Sequence, residues 1–83
     1  MKEYWVYVII SRVKKYRYIG ISDMPERRIF HHNSGYNKTT KPYIPFEQIL
    51  LEKYKSRKDA RDRERYLKSG SGREYLNQLH ATP

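Results

Sequence analysis

The stretch Tyr4-Trp5-Val6-Tyr7-Val8-Ile9-Ile10, followed after Ser11 to Lys15 by Tyr16-Arg17-Tyr18-Ile19-Gly20-Ile21-Ser22, decides the fold. The first run is apolar, β-branched and aromatic, and it is short enough for a strand. Both of its alternating faces are apolar, which makes it a central strand with neighbours on either side. Ser11 to Lys15 is a polar connection, and Tyr16 to Ser22 alternates, so the two runs form a β-hairpin. An even-length connection puts Tyr7 and Tyr18 on one sheet face, opposite or diagonal to one another. An odd-length connection separates them, and the even one is expected.

Outward from the hairpin, Ser22-Asp23-Met24-Pro25-Glu26 reads as a helix start, with Asp23 as the cap candidate and a proline in the first turn. The helix runs to about Asn33, where Ser34-Gly35 stops it. Residues 36–45 hold two prolines with Thr, Asn and Lys, and read as a surface loop. Phe46 to Tyr54 has an apolar centre between that loop and a fresh cap, which favours a third strand. Ser56-Arg57-Lys58-Asp59 caps a helix reaching Lys68, Ser69-Gly70 breaks it, and Ser71-Gly72-Arg73-Glu74 opens a last helix to about Leu79. The order β-β-α-β-α-α is that of an α+β fold, a three-stranded antiparallel sheet with packed helices.

The 83 residues suit one domain with a thin core. No cysteine is present to staple it, which fits a reducing compartment. There is no apolar run of membrane-spanning length and no signal-peptide pattern, so the expected setting is cytoplasmic, away from membranes. Eighteen Lys and Arg against nine Asp and Glu give a net charge of +9. A polyanion is the expected partner, because each basic contact to a phosphate releases condensed counterions. Nine tyrosines are available for stacking on bases or for filling a core with a wet tip.

Two helical patterns could carry chemistry. On the helix from 56 to 68, Glu64 lies four residues after Ala60 and three before Leu67, on the stripe that should face the core. A carboxylate there needs a partner, either a basic side chain or a metal ion. On the helix from 25 to 33, Arg28 and His32 share a face and could bind one phosphate jointly, but Arg27 and His31 have the same spacing. Taken alone, each pattern reads first as an ordinary solvated helix face. Zinc spacings and nucleotide-binding glycine loops are missing, so a metal would have one carboxylate and several waters or phosphate oxygens, which suits Mg2+ or Mn2+.

Together these residues resemble the GIY-YIG nuclease superfamily, in particular its small stand-alone members, similar to the N-terminal domain of the nucleotide-excision repair subunit UvrC. The resemblance covers Tyr4 to about Leu79. Tyr18-Ile19-Gly20 matches the second name-giving motif, whereas Trp5-Val6-Tyr7 departs from the first and keeps its tyrosine. The interval from Tyr7 to Tyr18, and from there to Arg28 and His32, matches the family spacing and selects Arg28 over Arg27. Glu64 falls where the family has its metal-binding glutamate, and Asn77 where it has a later asparagine.

The resemblance implies a metal-dependent endonuclease acting on nucleic acid, DNA being the expected form, with repair or recombination as the setting. Tyr7, Tyr18, Arg28, His32 and Glu64 would be catalytic. Glu64 would hold Mg2+ or Mn2+, and Arg28 would neutralise charge on the phosphoryl oxygens. Tyr7 would orient or deprotonate the attacking water, assisted by Tyr18 or His32. Gly20 would let backbone or substrate approach the strand closely. Two other readings use the same fold: a non-catalytic basic module that binds nucleic acid, and an interaction domain whose repair-protein partner chooses the substrate. Oligomeric state is open.

Overall fold

A computed structural model describes residues 2–80. The elements are β1 (Tyr4–Ser11), β2 (Arg17–Ser22), α1 (Pro25–Asn33), a short 3-10 turn (Lys41–Tyr43), β3 (Phe46–Tyr54), α2 (Arg57–Leu67) and α3 (Gly70–His80). All three strands pair antiparallel in the order β2-β1-β3, so the doubly apolar β1 is central, as its sequence requires.

Because β1 alternates, it feeds two cores. Val6 and Val8 pack with Leu50 and with Ala60, Leu67 and Leu76 of the α2–α3 pair on one face. Tyr7 and Ile9 pack on the other with Phe46, Ile29, Tyr16 and Tyr18, beneath α1. The pairing of β1 with β3 slips between Val8, opposite Leu50, and Ile9, opposite Gln48, a bulge that leaves Ile49 over. Side chains alternate along a strand, so this extra residue turns Phe46 onto the Tyr7 face. The Asn33 side chain fixes it there, accepting from the Phe46 amide at 2.6 Å and donating to its carbonyl at 3.4 Å.

On the far face, Arg63 donates two hydrogen bonds to Glu52, at 2.8 and 3.0 Å, tying α2 to β3. Burial alone would raise the Glu52 pKa; the bonds from Arg63 and the Tyr54 hydroxyl outweigh it and hold the carboxyl below its usual range. Where α3 crosses the end of α2, Gly72 is buried against the backbone of Tyr66 and Leu67, and a Cβ there would overlap both.

Three local expectations are corrected. Asp23 does not cap α1: the N-cap position is Met24 without a side-chain bond, Ser22 Oγ accepts the Met24 amide, and Asp23 lies 3.6 Å from Lys2. Helix α3 begins at Gly70, and Ser69, not Ser71, accepts its early amide from Gly72. Residues 36–45 are not purely a surface loop, since Thr40 is fully buried and Tyr43 stacks on Tyr16 with centroids 3.9 Å apart. Ser56 does cap α2, accepting from the Asp59 amide.

Candidate active site

The hairpin register sets Tyr7 opposite Gly20 and Ile9 opposite Tyr18, so Tyr7 and Tyr18 are diagonal neighbours on one face. Their rings stack with centroids 6.1 Å apart. Gly20 has a specific reason to lack a side chain: a Cβ would lie 2.6 Å from the Tyr7 Cζ and hydroxyl oxygen. The group that approaches strand β2 so closely is therefore the phenol of Tyr7, laid across the sheet onto its glycine partner. This ring is only 2% exposed.

Helix α1 brings His32 over the same spot, with its ring 4.6 Å from that of Tyr18. His32 Nε2 is 3.3 Å from the Tyr7 hydroxyl, and Nδ1 is 2.9 Å from Thr40 Oγ1. Thr40 in turn donates to the Asn37 carbonyl at 3.4 Å. A hydroxyl has a single proton, so Thr40 accepts from His32 Nδ1–H. Nε2 then carries the lone pair, and the Tyr7 hydroxyl donates to it. The tautomer follows from this donor count.

Electrostatics agree with that assignment. His32 has its pKa lowered, first by burial and then by the charges of Arg28 and His31, so the ring is neutral at neutral pH. The Tyr7 phenol is pushed well above its ordinary value, chiefly by burial and then by Tyr18. Arg28 and Glu64 also act on this hydroxyl, Arg28 favouring the phenolate and Glu64 opposing it. Both charges therefore lie within electrostatic reach of one phenol, although they come from helices on opposite faces of the sheet.

Arg28 is exposed on α1 and lines a recess with His31, His32, Tyr36 and Asn37. Glu64 is half-buried, on the flank of the stripe whose centre is filled by Ala60 and Leu67. Of the two partners such a carboxylate calls for, the one present is basic: Lys68 Nζ is 3.1 Å from its Oε2. That lysine is largely exposed, and a pair of this kind is worth well under about 1 kcal/mol. The described residues contain no group of three or more His, Cys, Asp or Glu side chains placed to share a metal. One carboxylate with a weakly held oxygen still fits a hard cation that keeps most of its waters.

Asn77 does not join this group. It sits on α3 and accepts from the Arg17 guanidinium at 3.1 Å, joining α3 to the start of β2. Thr40 is the residue that sequence reasoning missed, and no periodicity could have exposed a buried hydroxyl in a proline-flanked loop. Its contribution is measurable. Thr40→Val keeps the shape but orphans His32 Nδ1–H, at a cost of about 1–3 kcal/mol. Imidazole 15N shifts should show loss of the single Nδ1–H tautomer in that variant and its retention in Thr40→Ser. An unchanged tautomer in the valine variant would refute the assignment.

Compared with known families, residues 3–77 match the GIY-YIG catalytic domain. No curated protein and no solved structure matches the chain. With a family match over nearly its whole length, on a sheet that sets two tyrosines, a glycine and a histidine against one another, the chain belongs to the GIY-YIG catalytic domain family.

Proposed function

We propose that the chain is a metal-dependent endonuclease that hydrolyses a phosphodiester bond in nucleic acid, DNA being the expected substrate and repair or recombination the setting. The observation that carries this reading is the Tyr7–His32–Thr40 chain of hydrogen bonds, seated on Gly20, with Arg28 and Glu64 acting on the same hydroxyl.

In this mechanism Tyr7 works as a neutral relay. Its raised pKa disfavours a standing phenolate, whereas neutral His32 is ready to accept its proton. As water attacks phosphorus, a water proton passes to the Tyr7 oxygen while the Tyr7 proton passes to His32 Nε2. The phosphorus–oxygen bond to the leaving group breaks, and the departing oxygen takes up a proton from solvent. Arg28 meets the charge growing on the non-bridging oxygens, and its planar fork suits two of them. Tyr18, stacked on Tyr7, keeps the phenol aligned. Glu64 would hold Mg2+ or Mn2+, which when bound supplies Lewis-acid stabilisation of the phosphate and leaving oxygen.

A second reading, a basic module that binds without cutting, is favoured by the Lys68 contact on Glu64. The two separate in one assay. Branched, nicked and single-stranded DNA are incubated with the protein in Mg2+, in Mn2+, or in excess chelator. Cutting that appears with metal and stops on chelation supports the enzyme; binding without cutting under every condition leaves only the module.

The relay also fixes a pH dependence. His32 must be neutral, and its folded pKa lies below the ordinary 6.5, so the acid-side half-point of cutting should lie below that pH. Stability follows the same sign. The unfolded chain takes up the proton first, so the His32 contribution is full above pH 6.5 and is lost as pH falls through the folded value. Denaturant midpoints for wild type and His32→Gln should therefore converge on acidification. A gap that widens in acid would contradict the assignment.

A further inference from the structure

Strand β2 is an edge of the sheet, and it carries Tyr18 and Gly20. Each end of that edge opens into a cationic cleft. At the Ser22 end the cleft is about 330 Å³ and is lined by Lys2, Arg27, Arg28 and Arg57, with Asp23 its one carboxylate. Asp23 is already paired with Lys2, and Arg57 lies over the Tyr4 ring at 5.5 Å. No carboxylate among the described residues pairs with Arg27, Arg28 or Arg57 within 4.0 Å. At the Arg17 end a second cleft of about 340 Å³ is lined by Arg17, Tyr18, Lys68 and Arg73; Lys68 is paired with Glu64, while Arg17 and Arg73 have no carboxylate partner among the described residues.

The opposite edge differs. Along β3, Glu47 faces Arg12 at 3.9 Å and Lys53 faces Glu3 at 3.6 Å, so positive charge there is locally neutralised. Between the two edges, the arginines without a carboxylate partner among the described residues lie at the ends of the strand that carries the candidate active site. Six residues of strand span on the order of 16–20 Å. One strand of B-form DNA carries about five phosphates over that length of axis.

We propose that the β2 edge is a track for a single nucleic-acid strand, with the two clefts holding phosphates on either side of the bond to be cut. Arg28 stands at the inner end of the first cleft and also in the His32 recess, so it joins track to centre. Arg27 and Arg57 grip phosphates beyond it in one direction; Lys68 and Arg73 grip those in the other. This rests on the nuclease reading for its centre, but the grip is testable without any cutting.

The test is equilibrium binding of a fluorescein-labelled oligothymidine, followed by anisotropy across a salt series in chelator. Three double variants are compared: Arg27→Gln with Arg57→Gln, Lys68→Gln with Arg73→Gln, and Arg12→Gln with Lys53→Gln on the β3 side. Each removes the same charge. Every phosphate that a variant no longer neutralises should flatten the log–log salt slope by about 0.7, so each β2-side pair should flatten it by about 1.4. The two effects should add when combined, because the clefts are separate. The β3-side pair should leave the slope unchanged, and Arg27→Lys with Arg57→Lys should restore it. Equal flattening by all three pairs would overturn the track in favour of diffuse charge, as would no flattening by either β2-side pair. A wild type that binds along β2 yet cuts nothing would overturn the nuclease reading alone.

Discussion

Glu64→Ala is expected to lower cutting by about a thousandfold or more while leaving nucleic-acid binding intact or slightly tightened. The first effect follows if this carboxylate is what holds the metal: Lewis-acid stabilisation supplies several kcal/mol, and about 4 kcal/mol is three orders of magnitude in rate. The second follows from charge, since the variant removes an anion from a basic edge and releases Lys68 to meet phosphate. A salt-bridge role alone predicts something else. Losing an exposed i,i+4 pair costs about 0.3–0.5 kcal/mol of stability and leaves the rate alone. Single-turnover rates and anisotropy on the same preparation distinguish the two. A variant that cuts at the wild-type rate would remove Glu64 from the mechanism, and Lys68→Ala should not share the loss.

Gly72→Ala is expected to be the most damaging small substitution in the fold. Alanine normally favours a helix over glycine by about 1 kcal/mol. Here the added methyl meets the Tyr66 carbonyl and the Leu67 backbone, which cannot swing aside as a side chain can. Helix α3 must lift from α2, exposing Leu67 and Leu76, both fully buried. We expect a loss of about 3 kcal/mol, a melting temperature lower by on the order of 15 °C. Gly70→Ala, two residues earlier and in open space, should be neutral or slightly stabilising. If the two variants melt together, the close helix crossing is not what Gly72 serves.

How far the sequence discloses this molecule depends on which periodicity each residue obeys. Tyr7 and Tyr18 can be put on one face because a strand alternates strictly and only the parity of the connection matters. Helix phase is harder. Arg27–His31 and Arg28–His32 have identical spacing, and only the family resemblance chooses between them; in the fold, His32 is buried and His31 only half-buried. Glu64 lies beside Ala60 and Leu67, half-buried and partnered, but helix phase alone cannot say whether that partner is a basic side chain or a metal ion. The caps fail for a related reason. Ser69 and Ser71 both precede an amide three residues on, and the choice is made by where α3 must start to cross α2 at Gly72. Thr40 is silent in the sequence because its burial comes from the loop folding under α1, a tertiary event with no local signal.

The bulge in β3 gives the rear of the active site an unusual tolerance to the loss of one residue. Phe46, whose ring lies 6.0 Å from that of His32, faces the site opposite Ser11, and Ile49 is one residue too many for the ladder. Replacing Ile49 alters one partly buried side chain. Deleting it would close the bulge: Gln48, Glu47 and Phe46 keep Ile9, Ile10 and Ser11 as partners, so Phe46 stays on the Tyr7 face behind the imidazole. In this segment the chain carries one residue that the ladder does not use, so a shortening by one leaves the pairing intact.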